Sequence, residues 1–426
     1  MKLLLTHIAL LLYLTVDAQT YNFDYFLNNA EINSPLINKK VNDNKLINLN
    51  MQKIKSILNK PFVSFESNLL FAPIISHDNQ PSFQFVSDGT TSNYTGYDLS
   101  FSNGGQYQAY ISVKQNLFLN STYQAYSKTA DIARLLNEND IRLTQHELKQ
   151  LVAHQYLLCL KAEQQRQISK TLLNALKEQL QIMQKLVKKA IYKQSDLMLM
   201  KIEIDNYNID YQNYTSDYKR NLDDLNLLCG INNDSLIKIE NINFSLSSDS
   251  IEKSQFLLKY DLESNNIQAR QLLSEQKYKA RVNWFANAGL NAIYLPSFNR
   301  LGFAMGFNLS WTIFDGHQKK IQNEKSLIEQ ETLNFEKQQF INQYQINKRK
   351  YLTEIKAIDS KLKIIENQLL EYKKIADLYK IQLSQGQLSI MDLKNVVRDI
   401  SAKKQEELNL KIQQQLLINS YNYWNF

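Results

Sequence analysis

Two hydrophobic periods take turns along this chain. Across Leu301–Phe314 every second residue is large and apolar (Leu301, Phe303, Met305, Phe307, Leu309, Trp311, Ile313), and the residues between are mostly small or polar. Trp284, Ala286, Ala288, Leu290 and Ala292 alternate in the same way with Asn287, Gly289 and Asn291. Tyr107, Ala109, Ile111 and Val113 alternate with Gln108, Ser112 and Lys114, and a weaker version runs through Val63, Phe65, Leu69 and Phe71. A period of two predicts strands with one apolar face. Elsewhere the apolar residues recur at spacings of four and three. Tyr351, Ile355, Ile358, Leu362, Ile365 and Leu369 form one such run, Leu173, Leu176, Leu180, Met183 and Val187 another, and Leu197, Met200, Ile204, Tyr207, Tyr211, Tyr214 and Tyr218 a third. That spacing keeps one seam of a long helix against a partner helix.

Glycine and proline mark the borders. Of 10 Gly, eight fall at 89–105 or 289–316, and none of the 5 Pro lies in 119–230 or 310–426. Both residues punctuate turns and weaken helix interiors. The expected layout is a first repeat over 19–230 and a second over 259–426, joined by a linker or equatorial segment at 231–258. The first holds an N-terminal helix, strands at about 61–75 and 105–118, a long helix 120–189, a tip 190–196 and a return helix 197–229. The second holds strands at about 282–294 and 301–314, a long helix 317–384, a tip 385–392 and a return helix 393–425. A constant offset carries this division: Ile111–Phe118 lines up with Phe307–Phe314 at 196 positions, and at that offset Ala190 meets Gly386 and Asp196 meets Asp392. Upstream, Lys60–Val63 matches Lys279–Val282 at 219 positions, so the first hairpin carries a longer polar loop at about 76–104, whereas the second turns around Pro296.

Segments of about ten alternating residues fit a transmembrane β-barrel, and a soluble sheet with one buried face has the same period. In lipid, four strands cannot satisfy their own edges, so closure needs several copies, and three copies give an even count of strands. The fold class expected is mixed α and β: an antiparallel coiled-coil α-barrel plus a four-stranded contribution to a trimeric transmembrane β-barrel.

The start of the chain supports export. Lys2, the apolar run Leu3–Val16 and Val16-Asp17-Ala18 before Gln19 have the pattern of a signal peptide over 1–18. The formal net charge of +7 is spread without the basic blocks of a nucleic-acid binder, so no nucleic-acid partner is expected. Cys159 and Cys229 are expected as buried, inert thiols rather than a bridge, because packed helix axes lie farther apart than bridged Cα atoms do. His146 and His154 share one helix and are expected as solvated residues. No metal-ligand spacing, phosphate loop or nucleophile elbow occurs, so neither an enzyme nor a cofactor is expected.

The stretches LSWTIFDGHQKK (309–320) and VKQNLFLNSTYQ (113–124), with the tips KKAIYKQSDLMLMKIE (188–203) and LSQGQLSIMDLKNV (383–396), resemble the outer-membrane efflux protein family typified by TolC. Each motif is loose; two copies at one offset are specific. The resemblance spans nearly the whole chain after residue 18. It implies a homotrimeric, passive export duct in the outer membrane of a Gram-negative bacterium, with its helices in the periplasm. The tip would dock on a periplasmic adaptor (membrane-fusion) protein belonging to an inner-membrane pump. By the same resemblance Asp392, and less directly Asp196, would line the periplasmic aperture. Ala190, Tyr192, Lys193, Gly386, Gln387 and Leu388 would form the tip turns and the adaptor contact. Leu301, Phe303, Phe307, Leu309 and Trp311 would face outer-membrane lipid. The sequence departs from the family at Leu388 and Asn395, where a basic lock residue and a second acid are absent, which leaves Lys193 or Arg398 as lock candidates. The competing reading is a secreted coiled-coil scaffold or adhesin with a soluble β head.

Overall fold

The computed structural model describes residues 20–71, 75–76, 84–85, 94–95, 105–248, 254–292 and 298–426. The expected signal peptide, most of the loop at 76–104 and the turn at Pro296 lie outside the described residues. Two compact units emerge, and neither coincides with a sequence repeat. One takes the chain through Asn42 with Glu138–Tyr260 and Phe335–Phe426; the other takes Asp43–Asn137 and Asp261–Asn334.

The elements, in order, are β1 (Thr20–Tyr21), α1 (Phe23–Asn33), α2 (Pro35–Asn59), β2 (Phe62–Phe71), β3 (Ile75–Ser76), β4 (Gln84–Phe85), β5 (Tyr94–Thr95), β6 (Gly105–Leu117), α3 (Asn120–Lys188), α4 (Gln194–Cys229), β7 (Lys238–Ile239), α5 (Gln255–Glu275), β8 (Arg281–Ala292), β9 (Leu301–Ser310), α6 (Gln318–Ser384) and α7 (Ile390–Trp424). Helices α3 and α6 run for 69 and 67 residues without Gly or Pro. At 1.5 Å per residue each is about 100 Å long. Among the described residues, no helix is long and apolar enough to cross a membrane.

In the first unit the packing is densest where α1, α3 and α4 meet. Phe26, Tyr156, Leu157, Tyr218 and Leu225 are fully buried there together with Cys159 and Cys229. Tyr156 and Tyr218 each donate a hydroxyl to a backbone carbonyl, Glu240 at 2.7 Å and Ile237 at 2.6 Å, which ties down the segment carrying β7. β7 pairs in parallel with β1. Both cysteines are free. Burial pushes both thiols up, Cys229 to about 12, so neither is a thiolate at neutral pH.

His146 corrects the expectation of a solvated side chain. Its ring stacks on Phe426 with centroids 3.9 Å apart, and Nε2 donates to the Tyr423 carbonyl at 2.8 Å. Burial lowers its pKa. The end of α7 folds back onto α3 and covers it, a long-range contact invisible to helical spacing. His154, two turns on, is exposed.

In the second unit the long strands form one antiparallel sheet in the order β2-β6-β8-β9. A separate three-stranded sheet has the order β4-β3-β5. The strand ends differ from the sequence expectation. β9 stops at Ser310 rather than 314, and β6 stops at Leu117 with Phe118 in the left-handed region at φ 58°. The reason is the turn from strand into helix. After β9, Gly316 and His317 both take positive φ, and the Asp315 carboxylate accepts the backbone N–H of Lys319 at 2.7 Å. That bond satisfies a free donor at the start of α6 and holds the Asp315 carboxyl below its usual range. Trp311 therefore follows the strand rather than belonging to it.

Candidate functional site

The sheet is two-faced. Residues paired across an antiparallel ladder point to the same side. One row runs Phe65, Ile111, Ala288, Phe303, and the next Val63, Val113, Ala286, Met305. The opposite side has rows Asn68, Gln108, Asn291; Ser64, Ser112, Asn287, Ala304; and Asn116, Asn283, Asn308. The apolar side is uncovered: Phe65 is 71% exposed, Phe303 79% and Phe307 76%. Leu301, Leu309 and Trp311 are exposed as well.

The polar side is organised by hydrogen bonds between side chains. Asn68 donates to Gln108 at 3.4 Å, and Gln108 to Asn291 at 3.3 Å. Glu66 accepts from Lys114 at 2.8 Å, Tyr110 at 3.0 Å and Ser64 at 3.1 Å. Close neighbours disfavour a side chain at two glycines on this side, backbone at Gly289 and a ring at Gly306. A Cβ at Gly289 would collide with the Ala109 carbonyl and Tyr110, and at Gly306 it would fall 2.9 Å from the Phe285 ring. Within the sheet, β2 and β9 each have a single neighbour.

At the helical end of the first unit, the two tips pack on each other. Both long helices end alike. Ala190 N–H bonds to Val187 and Ile191 N–H to Leu186; Gly386 N–H bonds to Leu383 and Gln387 N–H to Gln382. These are paired five-to-two and six-to-one bonds around a left-handed residue, at φ 56° for Ala190 and 75° for Gly386. Glycine adopts that conformation freely, while alanine is strained there by about 1 kcal/mol. A Cβ on Gly386 would strike Ile191, so this glycine also makes room for the neighbouring tip.

Tyr192 donates its hydroxyl to the Leu388 carbonyl at 2.8 Å, and burial raises its pKa. Leu388 is 4% exposed, inside an apolar cluster with Leu176, Met183, Leu197, Met200, Leu383 and Leu393. Tyr207, from the tyrosine run, belongs to the same cluster. Of the expected tip residues, Ala190, Lys193 and Gln387 are exposed; Leu388 is not.

The two aspartates sit differently. Asp196 lies in the first turn of α4 and accepts the backbone N–H of Lys193 at 3.1 Å, so it closes a helix start. Asp392 lies in the first turn of α7, where Ser389 does the capping by accepting from Met391 at 3.2 Å. Asp392 is exposed and has no hydrogen-bond or ion-pair partner among the described residues. The sequence reading missed a buried ion pair beside them. Lys394 of α7 lies 3.1 Å from Glu203 of α4, and the Glu203 side chain is only 6% exposed. Glu203 sits within the heptad run, and a carboxylate next to an apolar seam was the available signal. Lys193 and Arg398, the lock candidates, are exposed. Among the described residues no group of three potential metal ligands occurs.

No family model matches the sequence, and no curated protein matches it. Similarity to solved structures is extensive. CusC, a transmembrane channel, aligns with TM-score 0.70 and 12% identity over 95% of this chain and 92% of its own. VceC, an outer membrane protein of Vibrio cholerae, aligns with TM-score 0.68 and 10% identity over 95% and 96%. The outer-membrane channel OprN aligns with TM-score 0.68 and 12% identity over 94% and 89%.

Proposed function

Because the chain has the fold of the outer-membrane efflux channels, we propose that it is one subunit of a passive export duct in the outer membrane. Three copies join their four-stranded sheets into a closed barrel, and their long helices form a tube in the periplasm. The observation that carries this reading is the sheet. Its apolar side is exposed, its polar side is hydrogen-bonded, and its outer strands β2 and β9 each have a single neighbour among the described residues. In hydrocarbon every edge must be paired, and identical copies supply the missing neighbours. The polar side then faces water and the apolar side lipid. A soluble adhesin head would cover its apolar face, and none of the described residues covers Phe303 or Phe307.

In this reading the two tips, which the tandem repeat makes equivalent, stand at one end of the tube, toward a periplasmic adaptor and the inner-membrane pump it serves. The duct carries small molecules or polypeptides expelled by that pump, which supplies the energy. Asp392, rather than Asp196, is the aperture carboxylate in this reading, because its charge is not spent on a helix cap. A ring of such carboxylates favours cations. Purified protein placed in planar bilayers should be trimeric and conduct ions, and Asp392→Asn should reduce its cation preference. A water-soluble monomer without conductance would overturn the duct, whereas unchanged selectivity in the variant would remove only Asp392 from the constriction.

A further inference from the structure

Where the end of α7 folds back on α3, the first unit holds a cavity of about 580 Å³. That volume lies within the range of ordinary small-molecule sites. Its lining comes from α1, α3, the segment 244–247 and the end of α7. The charges in it are sorted by helix. α3 supplies Arg142 and Lys149, and α1 supplies Asp24 and Glu31. In each pair the residues stand seven apart, so they share one helix face and span about 10 Å along the axis. None of the four has an ion-pair partner among the described residues. Two cations and two carboxylates therefore line one cavity without meeting, an arrangement matched by a ligand that carries both signs.

The rest of the lining is aromatic and amide-bearing. Phe23, Phe244 and Phe426 contribute rings, and the His146 ring, stacked on Phe426, belongs to the same lining. Nε2 of His146 is engaged by the Tyr423 carbonyl, which leaves Nδ1 as an acceptor with no partner among the described residues. Gln145 and Gln150 add side-chain amides. Aromatic faces hold another ring by stacking, and amides both donate to and accept from peptide groups.

We propose that this cavity is a binding site for a short zwitterionic peptide with an aromatic side chain. The peptide's carboxylate meets Arg142 and Lys149, its ammonium meets Asp24 and Glu31, and its ring lies among the phenylalanines. Packed helix axes lie about 8–10 Å apart, and the end charges of an extended tripeptide are separated by a similar span. A purely apolar ligand would leave all four charges unmet, and a simple anion would satisfy α3 alone. A bound peptide bridges α1, α3 and α7, so it stabilises the first unit by mass action. The site is built within that unit and does not depend on what the sheet faces.

The test uses the full-length protein in detergent and reads binding by titration calorimetry. Its probes are glycyl-phenylalanyl-glycine, the N-acetyl form of that peptide, its C-terminal amide, and glycyl-leucyl-glycine. The free phenylalanine peptide should bind best, one per chain, and blocking either end should weaken it roughly tenfold. Arg142→Gln/Lys149→Gln should weaken the free and N-acetyl peptides by a similar factor and leave the amide unchanged. Asp24→Asn/Glu31→Gln should do the converse, weakening the free peptide and the amide but not the N-acetyl form. Both variants should melt like the wild type when no peptide is present. Equal binding of all four probes would overturn the proposal, as would no saturable binding at millimolar peptide. So would a loss in the Arg142→Gln/Lys149→Gln variant that is the same for the amide as for the free peptide. Bilayer conductance tests the duct separately, so a conducting protein that fails these titrations would sink this inference alone.

Discussion

The sheet and the helical tips use the same kinds of side chain to opposite ends. At the tips Leu176, Met183 and Leu383 are at most 1% exposed, packed within a single chain. On the sheet Phe303, Met305 and Phe307 are all more than 70% exposed, although they alternate as regularly as any buried strand. An apolar core excludes water by packing on itself. An apolar sheet face left open in the subunit has its partner outside it, and hydrocarbon is the solvent that suits it. The difference shows that hydrophobic period alone does not say what an apolar face will meet.

Substitutions should separate the two regions. The largest effect is expected from Phe303→Arg/Phe307→Arg. An arginine facing lipid costs about 2–4 kcal/mol per site near the bilayer centre, so the variant should fail to accumulate as trimers in outer-membrane fractions. Were the face merely wet, the same change would be almost neutral, and normal trimer yield would break the comparison. Ala304→Asn, on the polar side, should leave assembly intact.

Next comes Glu203→Ala, which leaves the half-buried Lys394 without its partner between α4 and α7. Losing a charge-assisted contact of this kind costs about 1–3 kcal/mol. Thermal melting should show a clear loss of stability, and single-channel recordings should show more frequent opening, because the pair links the two tips. A variant with wild-type melting would mean that the pair is solvated and contributes nothing.

The smallest effects sharpen the contrast between the two turns themselves. Gly386→Ala should destabilise by at least 1 kcal/mol, from left-handed strain and the collision with Ile191. Ala190→Gly should stabilise by roughly 0.5–1 kcal/mol by relieving that strain. Equal responses at the two positions in a chemical-denaturation series would show that the turns are not set by this residue.

Much of this architecture was legible in the residues. Alternation marked β8 and β9, and heptad spacing marked the long helices, because both patterns are local consequences of backbone geometry. Strand ends were less legible. The alternation of Trp311 and Ile313 continues past Ser310, yet Asp315 and the left-handed pair Gly316 and His317 have already begun the turn into α6. His146 was misjudged because its partners Tyr423 and Phe426 lie at the far end of the chain. The aspartates illustrate the same limit. Asp196 and Asp392 occupy equivalent positions in the sequence, and only the folded chain distinguishes a carboxylate bound to Lys193 N–H from one left open.

The most direct test of the central claim is nitroxide scanning of β9 in the reconstituted protein, one label at a time from residue 301 to 310, reading collisions with oxygen dissolved in lipid and with a water-soluble nickel complex. A lipid-facing apolar side predicts a period of two, with odd positions oxygen-rich and even positions open to nickel. Odd positions shielded from both reagents would mean that protein, not the bilayer, covers Phe303 and Phe307, and the duct would fall.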